Sequence, residues 1–89
     1  MTWNEYKEQV KANDSEAKTE LEEIEEKAAI VTAMIDRRNA LGLSQRELAE
    51  RCGIPQSSVA RIESNRTVPK LDTLLKIFHQ LGLRLSVQF

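Results

Sequence analysis

The sequence predicts an all-α domain of about five helices, with a helical extension at its N-terminal end and a short β-strand at its C-terminal end. Only three glycines and two prolines occur among the 89 residues, so few positions interrupt a helix. Apolar side chains recur at the three- and four-residue spacing of a helical face, and residues that cap helices precede several of these stretches. The strand is predicted by the strict alternation of apolar and polar residues from Leu83 to Phe89.

The first predicted helix is short and carries two aromatic residues. Thr2 can cap a helix that runs from Trp3 to about Lys11. One face of this helix holds Trp3, Tyr6 and Val10. Two aromatic rings on such a helix either pack on the protein's own core or anchor a partner protein, and the spacing leaves both open.

The second predicted helix is longer, beginning near Ser15 and ending at about Ala40. Its apolar residues predict one buried stripe composed of Leu21, Ile24, Ala28, Val31 and Ile35. The apolar sector is widened in the C-terminal half by Ala29, Ile30 and Met34. That half should therefore lie in the core, and the glutamate-rich half should project outward.

The third and fourth predicted helices are joined by a tight turn. Ser44–Glu47 matches a capping box, with a hydroxyl at the N-cap and a carboxylate at the third helical position. Gly53 ends the third helix, since glycine readily adopts the left-handed conformation of such a turn. The fourth helix begins at Pro55 or its neighbour and ends at about Ser64. The residues expected to face inward are Leu48, Ala49, Cys52, Val59 and Ile62.

The last predicted helix runs from about Leu71 to Leu81 and is followed by the strand. Its core residues are expected to be Leu71, Leu74, Leu75, Phe78 and Leu81. The strand has no other strand in its own chain to pair with, so it would pair with the same strand of a second subunit, join a partner's sheet or fray. We favour the homodimer, in which the dimerising residues would be Leu83, Leu85, Val87 and Phe89.

The formal net charge of -1 conceals an asymmetry along the chain. Residues 1–36 hold ten acidic residues and four lysines, a net charge of -6, whereas residues 37–89 hold nine basic and four acidic residues, a net charge of +5. The basic part suits a polyanion, which the acidic part would repel. Two binding surfaces are one interpretation, and the other is that the glutamates of residues 20–26 only form a solvated helix face.

The segment Ser44–Asn65 has the organisation of a helix-turn-helix, with two helices of about eight residues around a glycine turn. Ala49 permits close approach of the two helices, while apolar residues hold the second helix against the core. The outer face of the second helix then carries Gln56, Ser57, Ala60 and Arg61. Glutamine can pair with adenine and arginine with guanine in the major groove. The motif predicts base recognition rather than an ordinary solvated helix face.

This segment resembles the helix-turn-helix of the Xre/Cro-repressor family, and the similarity extends from about Val31 to Leu81. The resemblance implies a lambda-repressor-like domain that binds palindromic operator DNA as a dimer. It implies base contacts by Gln56, Ser57 and Arg61. It implies phosphate contacts by Gln45, Ser58, Arg66 and Thr67. It also implies a partly buried structural ion pair between Arg38 and Glu63. Where the family often has a glycine, the chain has Asn65, which tolerates the left-handed conformation.

The last helix, the terminal strand and the acidic leader resemble HigA-type antitoxins in particular. The resemblance implies a basic ribonuclease toxin of the RelE/HigB class as partner. If the face of the first helix binds a partner, its candidate anchors are Trp3, Tyr6 and Val10. The resemblance also implies that the protein neutralises this toxin and represses its own operon. The alternatives are a stand-alone or phage-derived Xre-type repressor and an adaptor that has lost DNA binding.

No residue pattern indicates an enzyme, a cofactor or a metal site. The single cysteine, Cys52, is expected to be a buried apolar side chain rather than a redox switch, and His79 has no second ligand at metal spacing. Neither a membrane span nor a secretory signal is apparent, so we expect a cytoplasmic protein. The expected organisation is an extension over 1–27, a DNA-binding domain over 28–82 and the strand over 83–89.

Overall fold

The computed structural model describes the backbone of residues 2–13 and 15–87 and the side chains of residues 2–9 and 17–87. Its elements are α1 (Trp3–Asn13), α2 (Ser15–Ala40), α3 (Gln45–Cys52), α4 (Gln56–Glu63) and α5 (Leu71–Leu81). The prediction of an all-α protein with about five helices is therefore confirmed. The chain divides into two compact units, Met1–Ile30 and Val31–Phe89.

The first unit contains α1 and the N-terminal part of α2. Its first helix begins with a reciprocal cap, in which the Glu5 N–H donates to the Thr2 hydroxyl at 3.1 Å and the Thr2 N–H donates to the Glu5 carboxylate at 3.2 Å. The predicted Thr2 cap is thus confirmed. An ion pair of 3.2 Å between Lys7 and Glu25 joins α1 to α2, and Leu21 is buried.

The second unit has a core to which the C-terminal part of α2 and all three later helices contribute. Its fully buried side chains are Met34, Leu48, Val59, Ile77 and Leu81. Helix α3 packs against both α4 and α5. The inward-facing positions predicted for α3 and α4 are all buried, so those predictions are confirmed.

The stripe predicted along α2 is wrong in part. Ile24 is 54% exposed and Ala28 is exposed, although both were expected in the stripe. Met34 is fully buried, as predicted for the C-terminal half, but Ala29 is exposed. Val31 and Ile35 are half-buried. Each end of α2 packs within its own compact unit, so the buried face need not follow one stripe through the whole helix.

The core face predicted for α5 also needs correction. Phe78 and Leu81 are buried as predicted, but Leu71 is 64% exposed and Leu75 is 46% exposed. Ile77, which was not among the predicted core residues, is fully buried. The reason is that α5 carries more apolar surface than the core can cover, and sequence spacing does not decide which part is left outside.

The predicted strand is not present among the described residues, where residues 83–87 form no regular structure. A strand requires hydrogen bonds to a neighbouring strand, and the described part of this single chain offers none. Leu83 is half-buried, while Leu85 and Val87 are exposed. Phe89 lies outside the described residues. Pairing with another chain stays a prediction.

Candidate nucleic-acid interface

Two short helices and the turn between them form the candidate interface. Helix α3 begins with the predicted capping box, in which the Glu47 N–H donates to the Ser44 hydroxyl at 3.0 Å and the Ser44 N–H donates to the Glu47 carboxylate at 3.2 Å. It ends at Gly53, whose φ of 68° is left-handed. The next N–H, that of Ile54, donates to the Ala49 carbonyl at 3.0 Å. These contacts fix the direction in which α4 leaves α3.

Helix α4 is held against the core by Val59 and Ile62, which are 0% and 3% exposed. Ala49 of α3 is 2% exposed, and its small side chain lets the two helices approach closely. The inner face of α4 is thereby fixed, so its opposite face has a defined orientation.

The outward side of α4 carries the side chains for which base contacts are predicted. Gln56, Ser57 and Arg61 are all exposed, and the first two lie in the first turn of the helix. Ser58 is half-buried, whereas Arg66 and Thr67, which follow the helix, are exposed. An amide, a hydroxyl and a guanidinium on one helix are suitable donors and acceptors for base edges in a major groove.

The C-terminal end of α4 is anchored by a bidentate ion pair. Arg38 Nε donates to Glu63 Oε2 at 2.8 Å, and Arg38 Nη2 donates to Glu63 Oε1 at 2.9 Å. The two side chains are only 13% and 6% exposed. Arg38 Nη1 also donates to the Leu43 carbonyl at 2.8 Å. The pair implied by the family resemblance is present, and it ties α2 to the loop before α3 and to the end of α4.

One side chain of the interface is linked to this ion pair in a way that sequence reasoning missed. Gln45 Nε2 donates to Glu63 Oε1 at 3.1 Å, so the amide at the start of α3 is oriented by the carboxylate that closes α4. A glutamine amide has a second N–H, and that hydrogen is the one suited to a phosphate contact. No local pattern links positions eighteen residues apart, so only the fold reveals this contact.

A second missed contact involves the neighbouring arginine. Arg37 Nε donates to the Leu81 carbonyl at 2.9 Å, which ties the last turn of α2 to the C-terminal end of α5. Carbonyl groups in a last helical turn have no partner within their own helix. The signal available in the sequence is a pair of arginines near the end of a helix, although it does not identify which carbonyl they reach.

The side of α5 near α3 has an open groove of about 670 Å³. Its lining residues are Arg51, Cys52, Asp72, Leu75, Lys76, His79 and Gln80. Burial raises the pKa of the Cys52 thiol, and the positive charge of Lys76 opposes this in part. Among the described residues, no group of three acidic, histidine or cysteine side chains could hold a metal ion. None of the described helices is long and apolar enough to cross a membrane.

The first unit presents an aromatic pair. Trp3 and Tyr6 are 55% and 47% exposed, and their rings are stacked with centroids 5.7 Å apart. The Lys7 ammonium lies 5.7 Å from the Trp3 ring centroid. Both rings leave about half of their surface outside, so neither is a core residue. The side chain of Val10, grouped with them by spacing, lies outside the described residues.

Comparisons with known proteins agree with this geometry. The profile of the family described as Helix-turn-helix matches residues 34–88. An uncharacterized HTH-type transcriptional regulator of Haemophilus influenzae is 36% identical over 85 residues, covering 96% of this chain and 82% of that protein. Antitoxin HigA1 of Mycobacterium tuberculosis is 38% identical over 76 residues, covering 85% of this chain. The aligned region spans only 51%, about half, of HigA1.

A similar solved structure extends the likeness to nearly the whole chain. It is a chain of a toxin-antitoxin module from Streptococcus pneumoniae, with a TM-score of 0.76 and 35% sequence identity. The match covers 99% of this chain and 92% of that chain. The similarity therefore includes the first unit as well as the helix-turn-helix.

Proposed function

This chain belongs to the Xre-type helix-turn-helix family of DNA-binding regulators, which are not enzymes, and we propose that it acts as an antitoxin. In this role it neutralises a basic ribonuclease toxin of the RelE/HigB type and represses its own operon. The observation that carries the proposal is the match to a toxin-antitoxin chain over 99% of this sequence. A likeness confined to the DNA-binding motif would be equally compatible with any regulator.

The DNA-binding part of the proposal uses the outward face of α4. Gln56, Ser57 and Arg61 read base edges, and phosphates are contacted by Gln45, Ser58, Arg66 and Thr67. The exposed position of Arg61 on α4 and the orientation of the Gln45 amide by Glu63 support these roles. A palindromic operator requires two such domains, which we propose are supplied by a homodimer that includes pairing of the tails through Leu83, Leu85, Val87 and Phe89.

The toxin-binding part of the proposal uses the first unit. Residues 1–30 hold nine acidic residues and four lysines, a net charge of -5, whereas residues 31–89 have a net charge of +4 from nine basic and five acidic residues. A ribonuclease that binds RNA through a basic surface would be attracted to the acidic unit. The half-exposed rings of Trp3 and Tyr6 supply rigid apolar anchors of the kind that dominate interface energetics, and Val10 would extend them.

The antitoxin role is tested by expressing this chain in the cytoplasm together with the product of its neighbouring gene. We expect the neighbour to arrest growth when expressed alone, and we expect this chain to restore growth and co-purify with it. A double variant, Trp3→Ala with Tyr6→Ala, should lose the rescue, while an Arg61→Ala variant should retain it. A neighbour that is harmless alone and forms no complex would contradict the proposal.

The second candidate is a stand-alone transcriptional repressor. The 36% identity to a transcriptional regulator over 96% of this chain favours it. Both candidates predict operator binding, so DNA experiments do not separate them. The co-expression result does, since only the antitoxin requires a toxic neighbour.

DNA binding is tested by comparing one base-reading and one phosphate-contacting variant. Arg61→Ala should weaken operator binding by about 1–3 kcal/mol and relax the preference at one base pair. Arg66→Ala should weaken binding to all sequences alike. It should also reduce the slope of log affinity against log salt concentration by about one, because one fewer counterion is released on binding. If both variants weakened binding to the operator and to random DNA by the same factor, the assigned roles would be contradicted.

A further inference from the structure

Helix α3 carries two exposed arginines whose surroundings differ. Arg51 lines the groove beside α5, together with Cys52. Arg46 lies in the first turn, and its Nε atom is 3.7 Å from Oε1 of Glu50, one turn further along the same helix. The side chains of Arg46 and Glu50 are 79% and 70% exposed, so this pair lies on the surface. The DNA contacts proposed above include neither of them.

Arg46 and Glu50 lie on the flank of α3 that is turned toward α4. The inner face of α3 is defined by its buried residues, Leu48, Ala49 and Cys52. Since each residue advances about 100° around an α-helix, Arg46 and Glu50 fall on one side of that face and Arg51 falls on the other. The Arg51 side borders α5. The Arg46 side is the continuation of Ala49, where α3 and α4 approach closely.

The start of α3 also lies beside the end of α4, because Gln45 donates to Glu63 at 3.1 Å. Arg66 follows this end of α4, and its N–H donates to the Arg61 carbonyl at 2.9 Å. When the second helix of a helix-turn-helix enters the major groove, the first helix crosses the phosphate backbone. A guanidinium next to Gln45, on the α4 side of α3, is therefore well placed for a phosphate of that backbone.

We propose that Arg46 is a further phosphate contact of this chain and that Glu50 competes with the phosphate for its guanidinium. The inference rests on the proposed DNA-binding role of α4. In the free protein, Arg46 and Glu50 partly neutralise each other. When DNA binds, Arg46 turns from the carboxylate to a phosphate, which leaves the Glu50 charge beside a polyanion. Glu50 therefore lowers the affinity of this surface for DNA.

The pair contributes little to α3 itself, so its separation is easy. The distance of 3.7 Å is longer than a hydrogen bond, and water screens two charges that are this exposed. The order of the charges is also the less favourable one. A cation in the first turn lies at the positive end of the helix dipole, where an acid such as Glu47 is preferred. Stabilisation of the helix does not account for an arginine at this position.

The phosphate contact is tested by salt titrations of DNA binding with the full chain and a duplex of random sequence. Arg46→Ala should weaken binding at low salt by at least about threefold and reduce the slope of log affinity against log salt concentration by about one. Arg46→Lys should keep most of this slope, because lysine still offers a point charge to a phosphate. Arg51→Ala is the matched control, since it removes an equal charge from the α5 side of the same helix. It should change the slope by less than half as much.

Competition by Glu50 is tested by a double-mutant cycle with Arg46. Glu50→Gln should raise the affinity of the otherwise unmodified chain at least about twofold, the factor expected for release of an exposed ion pair. The gain should be smaller when Arg46 is already alanine, because no guanidinium is left to compete for. If Glu50 only repelled phosphates, the gain would be as large or larger without Arg46.

The outcomes separate this inference from the proposed function. A chain that binds no DNA would overturn both. Operator binding that Arg61→Ala weakens, with equal salt slopes for Arg46→Ala and Arg51→Ala, would overturn the Arg46 contact alone. An undiminished gain from Glu50→Gln in the Arg46→Ala chain would overturn the competition. Circular dichroism should show unchanged helix content in every variant, because all the substituted side chains are exposed.

Discussion

Arg38 connects three parts of the second unit, since from α2 it binds the Leu43 carbonyl before α3 and both carboxylate oxygens of Glu63 in α4. Because Glu63 also orients Gln45, this ion pair supports the start of α3 as well as the end of α4. The ion pair therefore contributes to the interface by positioning α3 and α4, and it need not touch DNA itself.

Removing one member of this pair should be costly. Glu63→Ala leaves the Arg38 guanidinium, whose side chain is only 13% exposed, without its counter-charge. We expect the free energy of unfolding to fall by about 3 kcal/mol in urea titrations. The double variant Arg38→Met with Glu63→Leu should lose less than this, because no unpaired charge remains buried. A single variant that loses less than about 1 kcal/mol would contradict the importance of the buried charge.

Cys52 should make the unfolding free energy depend on alkaline pH. Burial raises the pKa of its thiol in the folded protein, so the folded state holds the proton more tightly than the unfolded state does. The stabilisation is present below about pH 8.5, where an unfolded cysteine remains protonated, and is lost as the pH rises through the folded pKa. Urea titrations from pH 7 to 10 should show a steeper loss for the unmodified chain than for Cys52→Ala. Parallel curves would contradict the prediction.

At the scale of the elements, the turn between α3 and α4 allows a clean measurement of backbone strain. Gly53 has a φ of 68°, and a Cβ added there would meet no atom within 4 Å. Gly53→Ala should therefore lower the free energy of unfolding by about 1 kcal/mol through the left-handed backbone alone. Gly53→Asn should cost less, because asparagine tolerates this conformation, as Asn65 does here with a φ of 58°. Equal costs for alanine and asparagine would indicate a side-chain clash instead.

The helix ends were predictable because the determining groups are close in sequence. Ser44 and Glu47 form the predicted capping box, and Gly53 terminates the same helix. The buried faces were less predictable. Spacing alone could not show that Ile24 and Ala28 are exposed, since that depends on which elements pack against each end of α2.

The candidate site likewise has some features that residues close in sequence predict and others that depend on tertiary structure. Exposure of Gln56, Ser57 and Arg61 follows from burial of the two apolar residues on the opposite side of α4, which local spacing reveals. The hydrogen bond from Gln45 to Glu63 could not be predicted, because it joins distant residues through tertiary structure. The Arg38–Glu63 pair is equally distant, and only the family resemblance indicated it. The DNA contacts themselves stay predictions.

At the scale of the whole molecule, the two compact units carry opposite net charge, -5 for residues 1–30 and +4 for residues 31–89. A polyanion and a basic protein would therefore be attracted to different units. This separation has a consequence for mutagenesis, because changes in one unit should leave the binding of the other ligand intact. Binding of DNA and of the proposed toxin can then be measured on the same variants.

Deletion of residues 1–14 tests this separation. The deletion removes α1 and its aromatic pair but leaves all of α2, and the second unit keeps every residue of its core. We expect operator affinity in fluorescence anisotropy to change by no more than about twofold, since no predicted phosphate contact is lost. Affinity for the neighbouring gene's product, measured by calorimetry, should fall by more than about tenfold, because interface anchors carry most of the binding energy.

Full-length Trp3→Ala with Tyr6→Ala is the control for this deletion, since it removes the rings and retains the backbone of α1. If the rings carry the binding, this variant should reproduce most of the loss in toxin affinity. If α1 acts mainly through its charges, the variant should bind nearly normally at low salt and weaken as salt is added. A deletion that abolishes operator binding while its circular dichroism still shows a folded second unit would contradict two separate surfaces, because DNA affinity would then require the acidic unit.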